Sequence, residues 1–169
     1  MPVHLSPFRE RDLELLSRLA NDPAFSAPFE WFGFRWAPDL LRRRWEEDGF
    51  LNKDPHYLTI VDGGDAAIGF VMWREAPVQG HGVWEIGALL APEHRGRGTG
   101  TAAQRLLVEH LFATTPAHRI WAGTETDNVA EQRSLEKCGF RREGVLRGAH
   151  FRDGDWRDAV IYGVLRGDL

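Results

Sequence analysis

The stretch "LLAPEHRGRGTGTAAQRLL", residues 89 to 107, passes from an apolar strand-like piece through a turn into a helical pattern. Three glycines and two arginines fall between Arg95 and Gly100. Gly98-Thr99-Gly100-Thr101-Ala102-Ala103 fits G-x-G-x-x-A, the dinucleotide fingerprint, yet in that fingerprint the first glycine follows its strand almost directly. Here Pro92-Glu93-His94-Arg95 intervenes, and no Gly-Lys-Ser/Thr marks a phosphate loop of the Walker type. What remains is a turn whose glycines leave backbone N–H groups open at a helix start, where orphan donors and the helix dipole favour an anion. With charge-assisted bonds from Arg95 or Arg97, such a turn would cradle a pyrophosphate. Taken alone, the same residues fit a glycine-rich connection with solvated arginines equally well.

The whole chain narrows the field. Its 169 residues suit one domain, 1–169, with a buried core. A hydrophobic content of 43% and a charged content of 27% belong to a soluble globular protein. The net charge of −4 argues against nucleic acid as the main partner, because phosphate neutralisation needs a basic face. The one dense basic run, Arg42-Arg43-Arg44, sits in a helical pattern with Leu40, Leu41 and Trp45 and reads as a solvated helix face. Cys138 is the single cysteine, which excludes an intrachain disulfide, and the seven histidines lack metal-ligand spacing, so no metal is expected. No charged-then-apolar leader and no bilayer-length apolar run are present, so a cytoplasmic protein without a membrane partner is expected. Lysine occurs only at 53 and 137, an arginine skew that points to a GC-rich, bacterial genome.

Periodicity and turn chemistry predict the order βααβββαβαββ, a mixed α/β layered domain. Strands are expected at Val3 to Phe8, Tyr57 to Val61, Ala67 to Trp73, Val83 to Leu90, Arg119 to Glu125, Val145 to Phe151 and Trp156 to Val164. Helices are expected at Arg9 to Ala20, Pro38 to Glu47, Gly98 to Phe112 and Asn128 to Cys138. Asp62-Gly63-Gly64-Asp65 is a hairpin turn, and Asn128 with Glu131 forms a helix-capping pattern closed by Gly139.

Two motifs in order make the chain specific. Arg95-x-x-Gly98-x-Gly100 matches the R/Q-x-x-G-x-G signature of the GNAT superfamily of acyl-CoA-dependent N-acetyltransferases, which the chain resembles from about residue 5 to 166. Residues 126 to 165, "TDNVAEQRSLEKCGFRREGVLRGAHFRDGDWRDAVIYGVL", resemble the ribosomal-protein (Rim-type) branch, with its N-x-A…L-E-K-x-G-F-x-x-E-G run. The resemblance implies the GNAT fold, a mixed sheet of about seven strands flanked by about four helices. It also implies acetyl-CoA as co-substrate. The pantetheine arm would pair with the strand end Ala88-Leu89-Leu90, which splays from its neighbour. The pyrophosphate would sit on Arg95, Gly96, Arg97, Gly98, Thr99, Gly100 and Thr101, and Asn128 would meet the pantetheine or thioester region. As a residue in its own right, Asn128 also reads as a simple helix cap. Many relatives pair through their last strands, which implies a homodimer.

The implied chemistry is direct attack of a neutral amine on the thioester. An alkyl amine titrates near 10, so roughly one part in a thousand is neutral at pH 7 and a base must take its proton. Glu85 is the candidate base, since on an extended segment it shares a face with Gly87. His81, His150, Asp155 and Glu125 are the reserves. In many relatives a glutamate stands on the following strand, at the position of Gly123. For the departing thiolate, the tyrosine of many relatives is replaced by Leu135, and the serine of Rim-type members by Glu131. Ser134, close by but at a different offset from the family's acid, is the candidate acid, with water or thiolate release without a dedicated acid as the alternative. Cys138 reads as a small core residue and not as an acetyl carrier.

The resemblance also places the acceptor between the first two helices and the last hairpin. The segment "PFEWFGFRW", residues 28 to 36, puts five aromatics into eight residues. They either plug the core or wall a pocket with Glu30 supplying charge. Glu30, Trp31, Phe32, His81 and Trp84 are the candidate acceptor-binding residues, with Trp156 nearby. The acceptor is an amine, either a protein N-terminus or a small molecule such as a polyamine, an amino-acid derivative or an antibiotic. A non-catalytic acyl-CoA-binding module is the alternative.

Overall fold

An apolar run flanked by turn residues makes a buried strand, and Val83–Leu90 is the one on which the fold turns. In a computed structural model it is the middle of a seven-stranded sheet. The structure describes every residue except 1, 27, 30, 32, 34–36 and 77–81, and only the backbone of Pro38. The strands are β1 (Val3–Ser6), β2 (His56–Asp62), β3 (Ala67–Glu75), β4 (Val83–Leu90), β5 (Arg119–Glu125), β6 (Arg141–Arg152) and β7 (Asp155–Leu165). The helices are α1 (Leu13–Asn21), α2 (Pro38–Asp48), α3 (Thr99–Thr114) and α4 (Val129–Lys137). The element order and the mixed α/β class are those expected.

Spatial order is β1-β2-β3-β4-β5-β7-β6, antiparallel throughout except for β4 and β5. A parallel pair needs a long crossover, and α3 supplies it. The pairing of β4 with β5 stops early, at Val83↔Arg119, Trp84↔Ile120 and Glu85↔Trp121. Beyond that point Ile86 to Leu90 stay paired to β3, and Ala122 to Glu125 stay paired to β7. The sheet therefore opens into a V between its two central strands.

Alternation along the strands builds two cores. Val71, Trp73, Ile86 and Ile120 join Leu107 and Leu111 of α3 and Leu135 of α4. Phe70, next to Val71 and so on the opposite face, joins Leu16 and Leu19 of α1, Leu41 of α2, Phe50 and Tyr57.

Three boundaries differ from expectation with a visible cause. β1 ends at Ser6 rather than Phe8, whose side chain is buried under α1 and α2. The first helix opens with a tight 3-10 turn at Glu10–Asp12, because Asp12 turns inward and accepts from the Arg9 backbone N–H at 2.9 Å. Burying that carboxylate, 2% exposed, is offset by the Arg9 guanidinium at 3.2 Å. β6 begins at Arg141, four residues before Val145, through a stretch with no apolar alternation that β7 pairs nonetheless. Its bend at Asp153-Gly154, both with positive φ, is the turn geometry that favours these residues. No described helix is long and apolar enough to cross a membrane.

α3 holds the glycine turn against the sheet chiefly through its buried face. Leu107 is wholly buried, so Leu107→Ala should cost about 2–5 kcal/mol, read as a fall in the urea midpoint.

Candidate functional site

The glycine turn begins where β4 ends. Pro92–His94 makes one 3-10 turn, and α3 starts at Thr99 with Gly98 as its N-cap at φ 79°. Gly96, at φ 71°, shares that left-handed backbone, which L side chains rarely adopt. Gly100 is not required by space, since a Cβ there would meet only Leu90 Cδ1 at 3.6 Å. No side chain caps α3, so its first backbone N–H groups keep their orphan donors. The two arginines divide their work. Arg95 donates from Nε to the Leu90 carbonyl at 2.9 Å and from a terminal nitrogen to the Phe25 carbonyl at 2.6 Å, clamping the glycine turn to the turn that follows α1. Arg97 is exposed and makes no ion pair among the described residues.

Where β4 and β5 part, a cavity of about 630 Å³ opens. Gly87, Ala88 and Leu89 line it from β4, and Gly123 and Thr124 from β5. Leu16 and Leu19 of α1 cover it, and Phe151 and Trp156, in edge-to-face contact at 5.4 Å, stand at the β6–β7 end. Both rings are more than half exposed.

Among the described residues, three carboxylates line this cavity, and their surroundings differ. Glu85 accepts from Arg74 Nε at 2.5 Å across the β3–β4 register, and this bond raises the guanidinium's already high pKa. Glu125, 2% exposed, takes both Nε and a terminal nitrogen of Arg152, at 2.7 and 2.8 Å. That paired bond holds the Glu125 carboxyl below the usual carboxylate range, with His150 and Arg157 adding to the effect. Glu131, in the first turn of α4, has no cationic partner among the described residues, and burial pushes its carboxyl up. Gln104 Nε2 donates to its Oε1. Behind it, Ser134 Oγ donates to Gln104 Oε1 at 2.7 Å and meets Thr101 Oγ1 at 2.9 Å. Burial also pushes the Tyr57 phenol up to about 12, so it stays neutral.

Of the residues expected at the site, Glu85, Ala88 and Leu89 line the cavity, as do the reserves Glu125 and His150. Leu90 contributes its carbonyl to Arg95. Asn128 caps α4: Oδ1 accepts from the Glu131 N–H at 3.3 Å, and Nδ2 donates to Thr124 Oγ1 at 2.9 Å. Ser134 does not line the cavity, because its hydroxyl is spent between α3 and α4. Trp84 is corrected outright: as the strand neighbour of Glu85 it projects to the other face, where it packs on the core and on His56 at 5.9 Å. Trp31 is half-buried and does not line the cavity. Asp155 lies outside it too, 4.0 Å from Arg157. Glu30, Phe32 and His81 lie outside the described residues. Cys138 is buried, with its thiol pushed up to about 11, which suits a core residue. Sequence reasoning missed Arg74 and the inward side chain of Glu131, which reads in sequence as part of a helix cap.

Comparison with known proteins fits this geometry. The model of the acetyltransferase (GNAT) domain family matches residues 3–141. A probable N-acetyltransferase of Bacillus subtilis (strain 168), YjcK, is 39% identical over 83 residues, 49% of this chain and 46% of that protein, so the match spans about half of each. The spermidine N(1)-acetyltransferase of Escherichia coli (strain K12) is 24% identical over 163 residues, 94% of this chain and 83% of that one. Among solved structures, spermidine N-acetyltransferase from Vibrio cholerae in complex with CoA and spermine superposes with a TM-score of 0.85 at 21% identity, covering 98% of this chain and 96% of that one. At that identity the likeness is one of fold.

The Glu125–Arg152 pair has a testable consequence. A carboxylate with a depressed folded pKa stabilises the fold above its unfolded value, about 4.3, and the contribution is lost as pH falls through the folded value. Arg152→Met leaves a buried carboxylate without its partner, so at pH 7 it should cost about 3 kcal/mol. The deficit should shrink below pH 4, where protonation relieves the stranded charge. Urea midpoints of both proteins at pH 7 and pH 3.5 check this.

Proposed function

The chain belongs to the GNAT acetyltransferase family, and on that premise we propose that it moves an acetyl group from acetyl-CoA to a primary amine by direct attack on the thioester. The observation that carries this reading is the V between β4 and β5, which joins the glycine turn to a cavity holding Glu85. The backbone donors of Gly96 to Thr101, together with Arg97, bind the pyrophosphate at the start of α3. The pantetheine amides pair with the β5-facing edge of Ile86 to Leu90, as an added strand would. Asn128, held by Thr124, borders the thioester end of that channel. The acetyl group then lies between Gly87 and Gly123, with the acceptor entering from the Phe151–Trp156 side.

Glu85 takes the proton from the attacking amine, directly or through a water. Arg74 holds one of its oxygens, Oε2, and so fixes the carboxylate against the sheet while Oε1 serves the substrate. The aromatic rim suits an alkyl ammonium, whose charge is attracted to ring faces before it gives up its proton. Two acceptor classes are supported by different observations. The run from Asn128 to Gly144 resembles the Rim-type branch, which favours a protein N-terminus. The likeness to spermidine acetyltransferases favours a small amine.

Thiol release from acetyl-CoA, measured across spermidine, aryl-alkyl amines and short peptides with free N-termini, should identify an accepted class. Glu85→Gln should lower kcat about 100-fold or more while acetyl-CoA affinity stays within twofold. Tight CoA binding without release on any acceptor would make the chain a binding module instead.

The phosphate cradle is tested by binding alone. Gly98→Asp brings a carboxylate to the phosphates at a position whose left-handed backbone Asp tolerates. CoA affinity should fall at least tenfold, about 1.4 kcal/mol, and the neutral Gly98→Asn should lose less. Equal affinity in all three proteins would refute the cradle.

A further inference from the structure

The carboxylates around the cavity are not equally available to a cation. Glu85 gives Oε2 to Arg74, and no described residue is bonded to Oε1. Glu125 has neither oxygen to spare: Arg152 takes Oε1 with Nε and Oε2 with a terminal nitrogen. Glu131 stands in the first turn of α4, next to Asn128 at the donor end, and the Gln104 amide is bonded to its Oε1. Asp54 adds to the field at Arg74 but does not line the cavity, and its Oδ1 accepts from the Glu75 N–H at 3.0 Å. His150 and Arg157 stand close enough to Glu125 to act on its charge from the last hairpin. A first ammonium therefore finds a partner in Glu85. A second one, among the described residues, finds only carboxylates already neutralised by arginine. Taking a charge out of water without a partner is costly.

The acceptor side is otherwise apolar. Leu19 and Phe29 face it from α1 and the segment after it, Met72 from β3, and Phe151 and Trp156 from the last hairpin. The rings of Phe151 and Trp156 meet edge to face, and no described part of the fold covers them. Adjacent exposed rings gain by being covered with another flat apolar surface.

Resting on the transferase reading, we infer that the acceptor is a primary amine with a single positive charge, carried on a short alkyl chain from an aromatic body. Its ammonium binds at Glu85 Oε1, where the proton is removed, and its ring lies against Phe151 and Trp156. Charge and surface agree on this class: one ammonium for one spare carboxylate oxygen, and a flat body for a pair of open rings. The transfer balances as before, neutral amine and acetyl-CoA giving amide and CoA thiol. A polyamine has no body to cover the rings and brings further ammonium groups to carboxylates that are taken. A peptide N-terminus brings main-chain amides that two hydrocarbon ring faces do not bond. The spermidine acetyltransferases share the fold, and the acceptor choice departs from theirs through Arg152 and the exposed ring pair.

The test measures thiol release at saturating acetyl-CoA with phenylethylamine, propylamine, spermidine and a short peptide with a free N-terminus. Phenylethylamine should exceed each of the other three in kcat/KM by about tenfold or more. Propylamine carries the same single charge without the ring, so that comparison isolates the aromatic body, and spermidine isolates the further charges. Trp156→Ala should raise KM for phenylethylamine about fivefold with kcat kept, the mark of lost uniform binding, and leave propylamine unchanged. Trp156→Phe, which keeps a ring, should retain most of the preference. Spermidine or the peptide used as well as phenylethylamine overturns the inference while the transferase reading stands. So does a preference that survives Trp156→Ala intact, or one lost equally in Trp156→Phe. Protein that binds CoA but releases no thiol with any of the four amines overturns the transferase reading itself, and this inference with it.

Discussion

Everything at the site depends on the parting of β4 and β5. Their three-residue pairing is long enough to fix the parallel register and short enough to leave half of β4 with one unpaired edge. A buried strand edge normally carries a cost, because its N–H and C=O groups have left water without partners. Here the cost is tolerated because neither strand is alone: β3 holds the outer side of β4 and β7 holds that of β5. The two cores lie on opposite faces of the sheet, and the one beneath α3 and α4 takes residues from β3, β4, β5 and β7, so it bridges the point where the strands diverge. The V is therefore a groove whose walls are each held by a neighbouring strand. A ligand with amide groups can complete what the fold leaves unfinished.

The opening also decides the electrostatics. Strand alternation sends Glu85 and Glu125 to the same side of the V, and Glu131 approaches from the helix that follows β5. Three carboxylates around one cavity would repel one another if all were bare. The sheet resolves this by register, placing Arg74 directly across from Glu85, and the last hairpin does so by reaching Arg152 back to Glu125. Glu131 has the neutral Gln104 amide instead of a cation among the described residues, and burial pushes its carboxyl up against that bond. Among the described residues, one cavity thus holds two carboxylates fixed by arginines and one held by an amide.

Much of this was legible in the sequence, and the exceptions follow a pattern. β4 and β5 have the expected bounds because each is an apolar run closed by turn residues, and α3 and α4 carry their own start signals. β6 was read four residues short, since Arg141 to Gly144 pair with β7 without an apolar face of their own. The glycine turn reads in sequence as a candidate anion cradle, but sequence does not divide the labour between Arg95 and Arg97, because the partners of Arg95 are the Phe25 carbonyl in the turn after α1 and the strand's last carbonyl. Trp84 was misplaced although the signal was present: it is one residue from Glu85 on a strand, so the two cannot share a face. Arg74 and Glu85 are eleven positions apart, and only the register of two antiparallel strands reveals them as a pair. Glu131 hid behind a capping pattern that is real, since its backbone N–H does serve Asn128 while its side chain turns the other way, towards Gln104.

Arg152 ties these parts together. It bonds Glu125 at the end of β5, Asp153 at the turn of the last hairpin, and its guanidinium stands 5.3 Å from the ring of Phe29 in the aromatic segment between α1 and α2. The residues on which acceptor recognition would rest therefore share one cation with the strand that forms half of the donor groove. Changing the hairpin tip or the aromatic segment would alter the field at Glu125 as well as the shape of the pocket. The aromatic wall at Phe29 and the electrostatics at Glu125 are for that reason coupled through a single guanidinium. Substitutions that retune the pocket without disturbing transfer should come from Phe151 and Trp156, which border the cavity with no ion pair to Arg152.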